Sequence, residues 1–308
     1  MDKAISIVVP AYNEEHNVGL LYKRLKLVLD SLKCKYEIIF VDDGSQDRTF
    51  EVLKQLHKKD KKLRVIRFQR NFQKAAALSA GFEAAKGDII ITLDADLQDD
   101  PAEIPRLLKK LDEGYDLVVG WKFKRRDTFS KRIFSKLFNL LVRNLTKVKI
   151  HDSDCNFRAM KRNIISNLKI YGGLYRYIPS LAYNKGYRVG EIKVFHHRRR
   201  HGKSKYGAGR LIKGFFDLIT TVFILSYTKR PLHLFGSIGI IFSVIGFLIG
   251  IYLSIIKIFL DVTIGNKASL LLAMLLILTG IQFISIGLIG ELMVSQKSKK
   301  DYIIKEML

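Results

Sequence analysis

The residues best suited to chemistry in this sequence are Asp94-Ala95-Asp96-Leu97-Gln98, at the end of an apolar run. Ile89–Leu93, bounded by Gly87 and Asp88, reads as a strand buried on both faces, as in a parallel sheet. On a strand that continues, residues i and i+2 share a face, so Asp94 and Asp96 are expected to aim at one point beyond its carboxyl end. Ligands of open α/β folds bind there. Two carboxylates and the Gln98 amide oxygen suit a hard divalent cation, Mg²⁺ or Mn²⁺, with diphosphate oxygens completing its shell. Asp-x-Asp is a very common tripeptide and taken alone is more often a strand followed by a solvated acidic turn, so its surroundings must decide.

Those surroundings alternate strand and helix patterns through residue 120. Strands are expected at Ile5–Val9, Tyr36–Val41, Arg64–Arg67, Ile89–Leu93 and Asp116–Val119. Helices are expected at Asn13–Leu32 (with Asn13 as its cap), Arg48 to about Lys59, Lys74–Ala85 and Pro101–Gly114. Short loops between alternating elements predict an α/β fold: a Rossmann-like, mostly parallel sheet with helices on both faces. The first strand leads into Pro10-Ala11-Tyr12-Asn13-Glu14 with no glycine-rich turn, which argues against a dinucleotide site and hydride transfer. Acids instead recur at three strand ends: Glu14, then Asp42 and Asp43, then Asp94 and Asp96. Carboxylates accept hydrogen bonds from ribose hydroxyls and base N–H groups, and Tyr12 offers a stacking face. Together they predict a nucleotide site.

Four motifs carry a resemblance: Val8-Val9-Pro10-Ala11-Tyr12-Asn13-Glu14, Val41-Asp42-Asp43-Gly44-Ser45-Gln46-Asp47, Arg70-Asn71-Phe72-Gln73-Lys74 and Asp94-Ala95-Asp96-Leu97-Gln98-Asp99. Over roughly residues 3–210 the chain resembles the family 2 glycosyltransferases of GT-A fold, and within them the polyprenyl-phosphate branch (dolichyl-phosphate mannose synthases and bacterial polyprenyl-phosphate glucosyltransferases). The resemblance implies that Pro10, Tyr12, Glu14, Asp42, Asp43 and Lys74 hold the nucleotide. It gives Asp94, Asp96 and Gln98 to the metal and the diphosphate. It also implies an acceptor loop in which Arg126, Lys131, Arg132 and Ser135 meet a lipid phosphate. Lys131 stands where the family often has Arg, so it supplies charge without a two-pronged contact. Asp152, five residues before Phe157-Arg158, matches an acid beside the attacking oxygen, while Cys155-Asn156 replaces a more usual glycine-bearing pair. Arg199, Ser204 and Lys205 match an arm that folds over the donor diphosphate.

The implied reaction is inverting transfer of a sugar from a nucleotide-diphosphate sugar (UDP-glucose, UDP-GlcNAc or GDP-mannose) to a polyprenyl phosphate (undecaprenyl or dolichyl). Asp152, Asp94 and Arg199 would be its catalytic residues. A phosphate monoester is already largely ionised near neutral pH, so Asp152 either assists attack or orients the acceptor. From local sequence alone, a helix N-cap role for Asp152 or Asp154 stands beside this one. A processive polysaccharide synthase would share the fold, but the chain lacks a Gln-x-x-Arg-Trp motif and further membrane helices. A non-enzymatic lipid-phosphate binder is the other alternative, disfavoured by the intact acids.

The chain has 308 residues and a formal net charge of +24. Residues 1–120 hold 20 basic and 20 acidic side chains, whereas residues 121–149 and 185–213 each hold 10 basic and 1 acidic. Residues 121–149 read as a basic helix with an apolar stripe, fit for phosphate or for a membrane surface. No nucleic-acid motif accompanies the charge, and the tandem His196-His197 lacks metal-ligand spacing. Arg210–Tyr227 reads as an interfacial amphipathic helix. Two uncharged apolar runs, Phe235–Ile256 and Ala268–Gly290, are each long enough to cross a bilayer. Lys229 and Arg230 on one flank, and Lys297, Lys299 and Lys300 on the other, predict both termini in the cytoplasm. The expected layout is a catalytic domain over 1–207, a juxtamembrane segment over 208–230, and a membrane domain over 231–308 with helices at about 233–258 and 268–292. Gly236, Gly239, Gly246 and Gly250 suggest packing against further copies. Two cysteines give no disulfide framework, and no signal-peptide pattern precedes the first strand, consistent with a reducing compartment.

Overall fold

The computed structural model describes residues 3–123, 148, 150–152, 155–168, 172–197, 223, 231–260 and 268–295. The chain divides into two compact units, Met1–Thr221 and Val222–Leu308. In the first, seven strands form one sheet: β1 (Ile5–Ala11), β2 (Tyr36–Asp42), β3 (Leu63–Arg67), β4 (Ile89–Thr92), β5 (Leu117–Lys122), β6 (Arg158–Lys161) and β7 (Val189–Val194). Their spatial order is β3-β2-β1-β4-β6-β5-β7. Every neighbouring pair is parallel except the two that flank β6, which runs against β4 and β5. The chain begins mid-sheet, winds outward through β2 and β3, and returns to β4 on the far side of β1. That reversal leaves a crevice at the carboxyl ends of β1 and β4.

β1 and β4 are β-branched and buried almost throughout, as expected for strands covered on both faces. Helices α1 (Val18–Ser31), α2 (Thr49–Lys59), α3 (Gln73–Ala84), α4 (Ile104–Asp112), α5 (Arg162–Asn167) and α6 (Ile178–Asn184) complete the unit. α4 buries Ile104, Leu107, Leu108 and Leu111 at helical spacing. α3 buries Ala75, Ala77, Leu78, Gly81 and Phe82, and its small residues let it approach β1 and β2 closely. A Cβ on Gly81 would lie 2.3 Å from Val8 Cγ1.

The five strands expected through residue 120 are all present, but two local assignments change. α1 starts at Val18 and is preceded by Asn17, so Asn13 is not its cap; Asn13 instead takes a left-handed φ of 52°. Asn17 Nδ2 donates to Glu14 Oε2 at 2.6 Å, fixing the chain ahead of the helix. Trp121 and Lys122 end β5 rather than begin a basic helix. Residues 124–147 and 210–222, where the basic and amphipathic helices were expected, lie outside the described residues.

The second unit contains α7 (Pro231–Leu260) and α8 (Ala268–Ser295), which pack on each other. Both are long and apolar enough to cross a membrane, with mean hydropathies of 2.5 and 2.3. Two of the glycines expected to meet another copy are used inside this hairpin. A Cβ on Gly239 would lie 2.5 Å from Gly280 O, and one on Gly246 would lie 2.7 Å from Ala273 O. Glu291 near the end of α8 accepts from Leu232 N at 3.3 Å, satisfying an open donor in the first turn of α7.

Gly81→Ala should destabilise the first unit by about 1–3 kcal/mol through overpacking against the stiff Val8. Val8→Ala in the same chain should recover part of the loss. A double-mutant cycle of thermal or denaturant unfolding reads that coupling, and additive effects would show that the two side chains do not compete for space.

Candidate active site

The loops after β1 and β2 form one wall of the crevice. The register sets Ala11 beside Asp42. Beyond it, Asn13 N donates to Ser45 Oγ at 2.9 Å and Gln46 N donates to Asn13 Oδ1 at 2.9 Å. Glu14 N donates to Thr49 Oγ1 at 2.8 Å, and Arg48 N donates to Glu15 Oε2 at 3.0 Å. The left-handed Asn13 makes this reciprocal latch possible, since asparagine tolerates that region better than most residues. Tyr12 and Glu14 are therefore held to the Asp42–Asp47 loop as one piece.

Asp42 and Asp43 both have internal partners. Asp42 is buried; its Oδ1 accepts from Ser45 N at 3.1 Å and its Oδ2 lies 3.6 Å from Arg67 Nε. Asp43 Oδ1 accepts from Phe72 N at 2.7 Å, tying the start of α3 to the same wall. Burial raises the pKa of Asp43 against the lowering effect of the Phe72 and Gln73 amides. Gly44, with φ of 68°, lets the Arg70 backbone approach: a Cβ there would lie 2.4 Å from Arg70 C.

Asp94 and Asp96 do reach the crevice, but not on a continuing strand. β4 ends at Thr92, and the two acids lie in a turn with Leu97 at φ of 61°. Alternation along a strand therefore does not set their directions. Asp94 is half-buried, with Lys74 Nζ 2.5 Å from its Oδ1 and Asn156 Nδ2 donating to the same oxygen at 3.0 Å. Lys74 also lies 5.5 Å from the centre of the Tyr175 ring. Asp96 is buried, and Gln98 N donates to its Oδ1 at 3.2 Å. Gln98 is fastened to the strand end opposite: His197 N donates to Gln98 O at 2.8 Å, and Gln98 Nε2 donates to His197 O at 3.4 Å.

Beneath this turn sits an ion pair that sequence reading missed. Lys122 Nζ lies 3.0 Å from Asp99 Oδ1, with the aspartate carboxylate fully buried. His196 Nδ1 is 3.6 Å from the same oxygen, and His197 Nε2 is 3.1 Å from Asp100 Oδ2. Burial alone would raise the pKa of Asp99, but the Lys122 charge outweighs it and holds the carboxyl well below the usual range. The same pairing holds Lys122 protonated against its own desolvation. No local signal distinguished Lys122 from the basic run that follows it.

Asp152 is buried, and the segment it opens leads into strand β6, so it caps no helix. Arg158, fully buried, shapes this segment. Its Nε donates to Cys155 O at 2.5 Å and its Nη1 to Tyr175 O at 2.7 Å, while Thr92 Oγ1 donates to Asn156 O. Burial pushes the Cys155 thiol up to about 12, which keeps it neutral and unsuited to nucleophilic attack. Pro10 lies near the carboxyl end of β1, paired with Val41. Arg126, Lys131, Arg132, Ser135, Asp154, Arg199, Ser204 and Lys205 lie outside the described residues.

The family model for glycosyl transferase family 2 matches residues 6–169. A dodecaprenyl-phosphate galacturonate synthase of Rhizobium johnstonii is 36% identical, over 98% of this chain and 92% of its own. The chain belongs to glycosyl transferase family 2. An undecaprenyl-phosphate 4-deoxy-4-formamido-L-arabinose transferase of Pseudomonas paraeruginosa is 39% identical, over 93% of this chain and 84% of its own. Among solved structures, a Mycobacterium tuberculosis glucosyl-3-phosphoglycerate synthase in complex with Mn²⁺, UDP and phosphoglyceric acid superposes with a TM-score of 0.57. That match covers 72% of this chain and 78% of the synthase, at 21% identity. The fold is thus of the GT-A kind, and this glycosyltransferase carries in addition two helices of membrane-crossing length.

The donor set of this glycosyltransferase fits a divalent cation that takes part of its shell from a ligand. Among the described residues, no three His, Cys, Asp or Glu side chains stand together as a cage. Asp94 Oδ1 is engaged by Lys74 and Asn156 and Asp96 Oδ1 by the Gln98 backbone amide, so a cation would share carboxylates that already have partners, beside the Gln98 side-chain amide oxygen. One or two carboxylates plus phosphate oxygens is a customary way to hold Mg²⁺.

Lys122→Ala should cost about 3–5 kcal/mol, because it strands a buried carboxylate without its counter-charge. Since Asp99 is depressed when folded, the stability it confers is fully present above the ordinary carboxylate range and falls away only in stronger acid. Thermal unfolding of the detergent-solubilised chain at neutral pH tests the pair; a shift of a degree or less would show that water screens it.

Proposed function

We propose that this glycosyltransferase moves a sugar from a nucleotide-diphosphate sugar to a polyprenyl phosphate at a membrane surface. The observation that carries the reading is the chain of ties from the Asn13–Ser45 latch through Asp43 and Phe72 to the Lys74–Asp94 pair, at the edge where strand order reverses. Relatives named for polyprenyl-phosphate sugars match this chain over nearly its whole length. Their names carry a galacturonate and a formamido-arabinose, so sugars beyond glucose, GlcNAc and mannose belong among the candidate donors.

The latched wall would hold the nucleotide, with Tyr12 offering a face to the base and the acids meeting base and ribose donors. Asp96 and Gln98 would hold a Mg²⁺ or Mn²⁺ ion, which supplies positive charge to the diphosphate when bound. Lys74 places an ammonium beside Asp94, ready to share its charge with the diphosphate or the sugar. An oxygen of the acceptor phosphate attacks the anomeric carbon as its bond to the diphosphate breaks. A β-linked lipid-phosphate sugar and a nucleoside diphosphate result from an α-linked donor. Because the acceptor is already ionised, Asp152 needs only to orient it. Arg126, Lys131, Arg132 and Ser135 would receive the acceptor phosphate, and Arg199 with Lys205 would clamp the donor.

In this reading α7 and α8 cross the cytoplasmic membrane as a hairpin with the catalytic unit and both termini inside. The Glu291 carboxylate at the first turn of α7 supports it, since it brings the start of α7 and the end of α8 together, and the sequence beyond each of those ends bears lysine or arginine.

Asp96→Ala should lower metal-dependent transfer by about 10²-fold or more while the chain stays folded and membrane-bound. The assay uses purified full-length protein, undecaprenyl or dolichyl phosphate, and a panel of UDP- and GDP-sugars that includes a uronate and an amino-pentose. Full activity in the variant would remove Asp96 from the metal site. Transfer to water or to free sugars, but never to the lipid phosphates, would overturn the reaction itself.

A further inference from the structure

The outer edge of the sheet carries an aromatic patch that the catalytic reading does not use. β7 is the last strand, and its parallel register on β5 sets Trp121 beside Lys193 and Lys122 beside Val194. Alternation then sorts the side chains. Lys122, Val194 and His196 turn toward Asp99 and the core. Trp121, Glu191 and Lys193 take the opposite face; Phe123, one residue past β5, joins them with its ring centre 5.1 Å from that of Trp121, and Phe195 follows one residue past the end of β7. Phe123 is 53% exposed and Phe195 72% exposed.

This face carries a lysine ammonium and a hydrogen-bonded carboxylate beside its aromatic rings. His151 stacks on Trp121, with ring centres 4.1 Å apart and planes 10° apart. Glu191 fixes that histidine, accepting from its backbone N at 2.7 Å and meeting its Nδ1 at 2.5 Å. Lys193 Nζ sits 4.5 Å from the Phe123 ring centre and 5.3 Å from that of Trp121. Exposed phenylalanines beside a half-buried tryptophan and a lysine ammonium match the side-chain chemistry of a bilayer interface.

We propose that the patch formed by Trp121, Phe123, Lys193 and Phe195 seats on the lipid headgroup boundary of the membrane that holds this chain's apolar helices. The inference rests on the membrane reading above and deepens it, giving the catalytic unit a contact of its own with the lipid. Charge favours lipid over a second copy. The sequence on either side, 121–149 and 185–213, holds 10 basic residues to 1 acidic in each stretch, which suits anionic headgroups. Two copies meeting patch to patch would bring their Lys193 ammonium groups together.

Trp121 is the sole tryptophan of the chain, so its fluorescence reports on the patch. The full chain is reconstituted into phosphatidylcholine vesicles containing phosphatidylglycerol, with acyl chains brominated near the headgroup or unbrominated. Comparing matched vesicles cancels the constant quenching by His151. Bromination should reduce Trp121 emission, and Phe195→Ser should weaken that reduction. Unchanged emission in a chain that still floats with the vesicles would overturn the patch while leaving the membrane reading intact. A chain that does not float with them would overturn the membrane reading instead. Emission that follows protein density in the bilayer but ignores bromine would assign the patch to a second copy and reject the proposal. Bromine quenching that Phe195→Ser leaves unaltered would also reject it.

Discussion

A largely buried lysine and a fully buried aspartate hold the edge of the crevice in place. Removing Lys122 and Asp99 from water costs each several kcal/mol of hydration, and only close pairing makes that tolerable. Because neither can relax into solvent, the end of β5 and the turn after β4 are committed to one distance. His196 adds a third group from the end of β7. The turn bearing Asp94, Asp96 and Gln98 is thereby fixed from below, and the His197–Gln98 backbone bond fixes it from the side. An apolar trio in the same place would pack the strands, but it would not set the turn by charge and direction.

The same economy runs through the rest of the crevice. Asp43 satisfies the first amides of α3, Asp42 closes the turn at Ser45, and Asp94 is shared by Lys74 and Asn156. Carboxylates that already have partners are held in defined directions, so a ligand entering the crevice would meet oriented acceptors rather than mobile acids. Arg158 performs the corresponding task for the backbone, joining Cys155 to Tyr175 across the start of the antiparallel strand.

A different balance governs the apolar hairpin. Water is absent from a bilayer core, so burying leucine there gives helices little reason to associate. Close approach supplies the attraction instead: Gly239 and Gly280 bring the backbones of α7 and α8 together at one crossing, and Gly246 with Ala273 does so at another. Two of the four small residues that looked available for another copy are thus occupied within the hairpin. Gly236 meets only Leu232 of its own helix, and Gly250 has nothing near its Cβ position among the described residues.

Local order was legible in the sequence because it rests on periodicity and turn chemistry. Buried β-branched runs gave the five strands through residue 120, and uninterrupted apolar length gave the two long helices. The acids at three strand ends pointed to a candidate site because parallel strands deliver their carboxyl ends to one edge. Tertiary structure decided what depends on residues far apart in the chain. The antiparallel entry of β6 puts Asn156 on Asp94. The pairing of β5 with β7 turns Lys122 from one more basic residue into the counter-ion of Asp99. The latch between the first two loops takes Asn13 out of the helix it was expected to cap. In each case the local sequence permits several conformations of similar energy, and a distant partner selects among them by satisfying a charge or a backbone donor that would otherwise be buried alone.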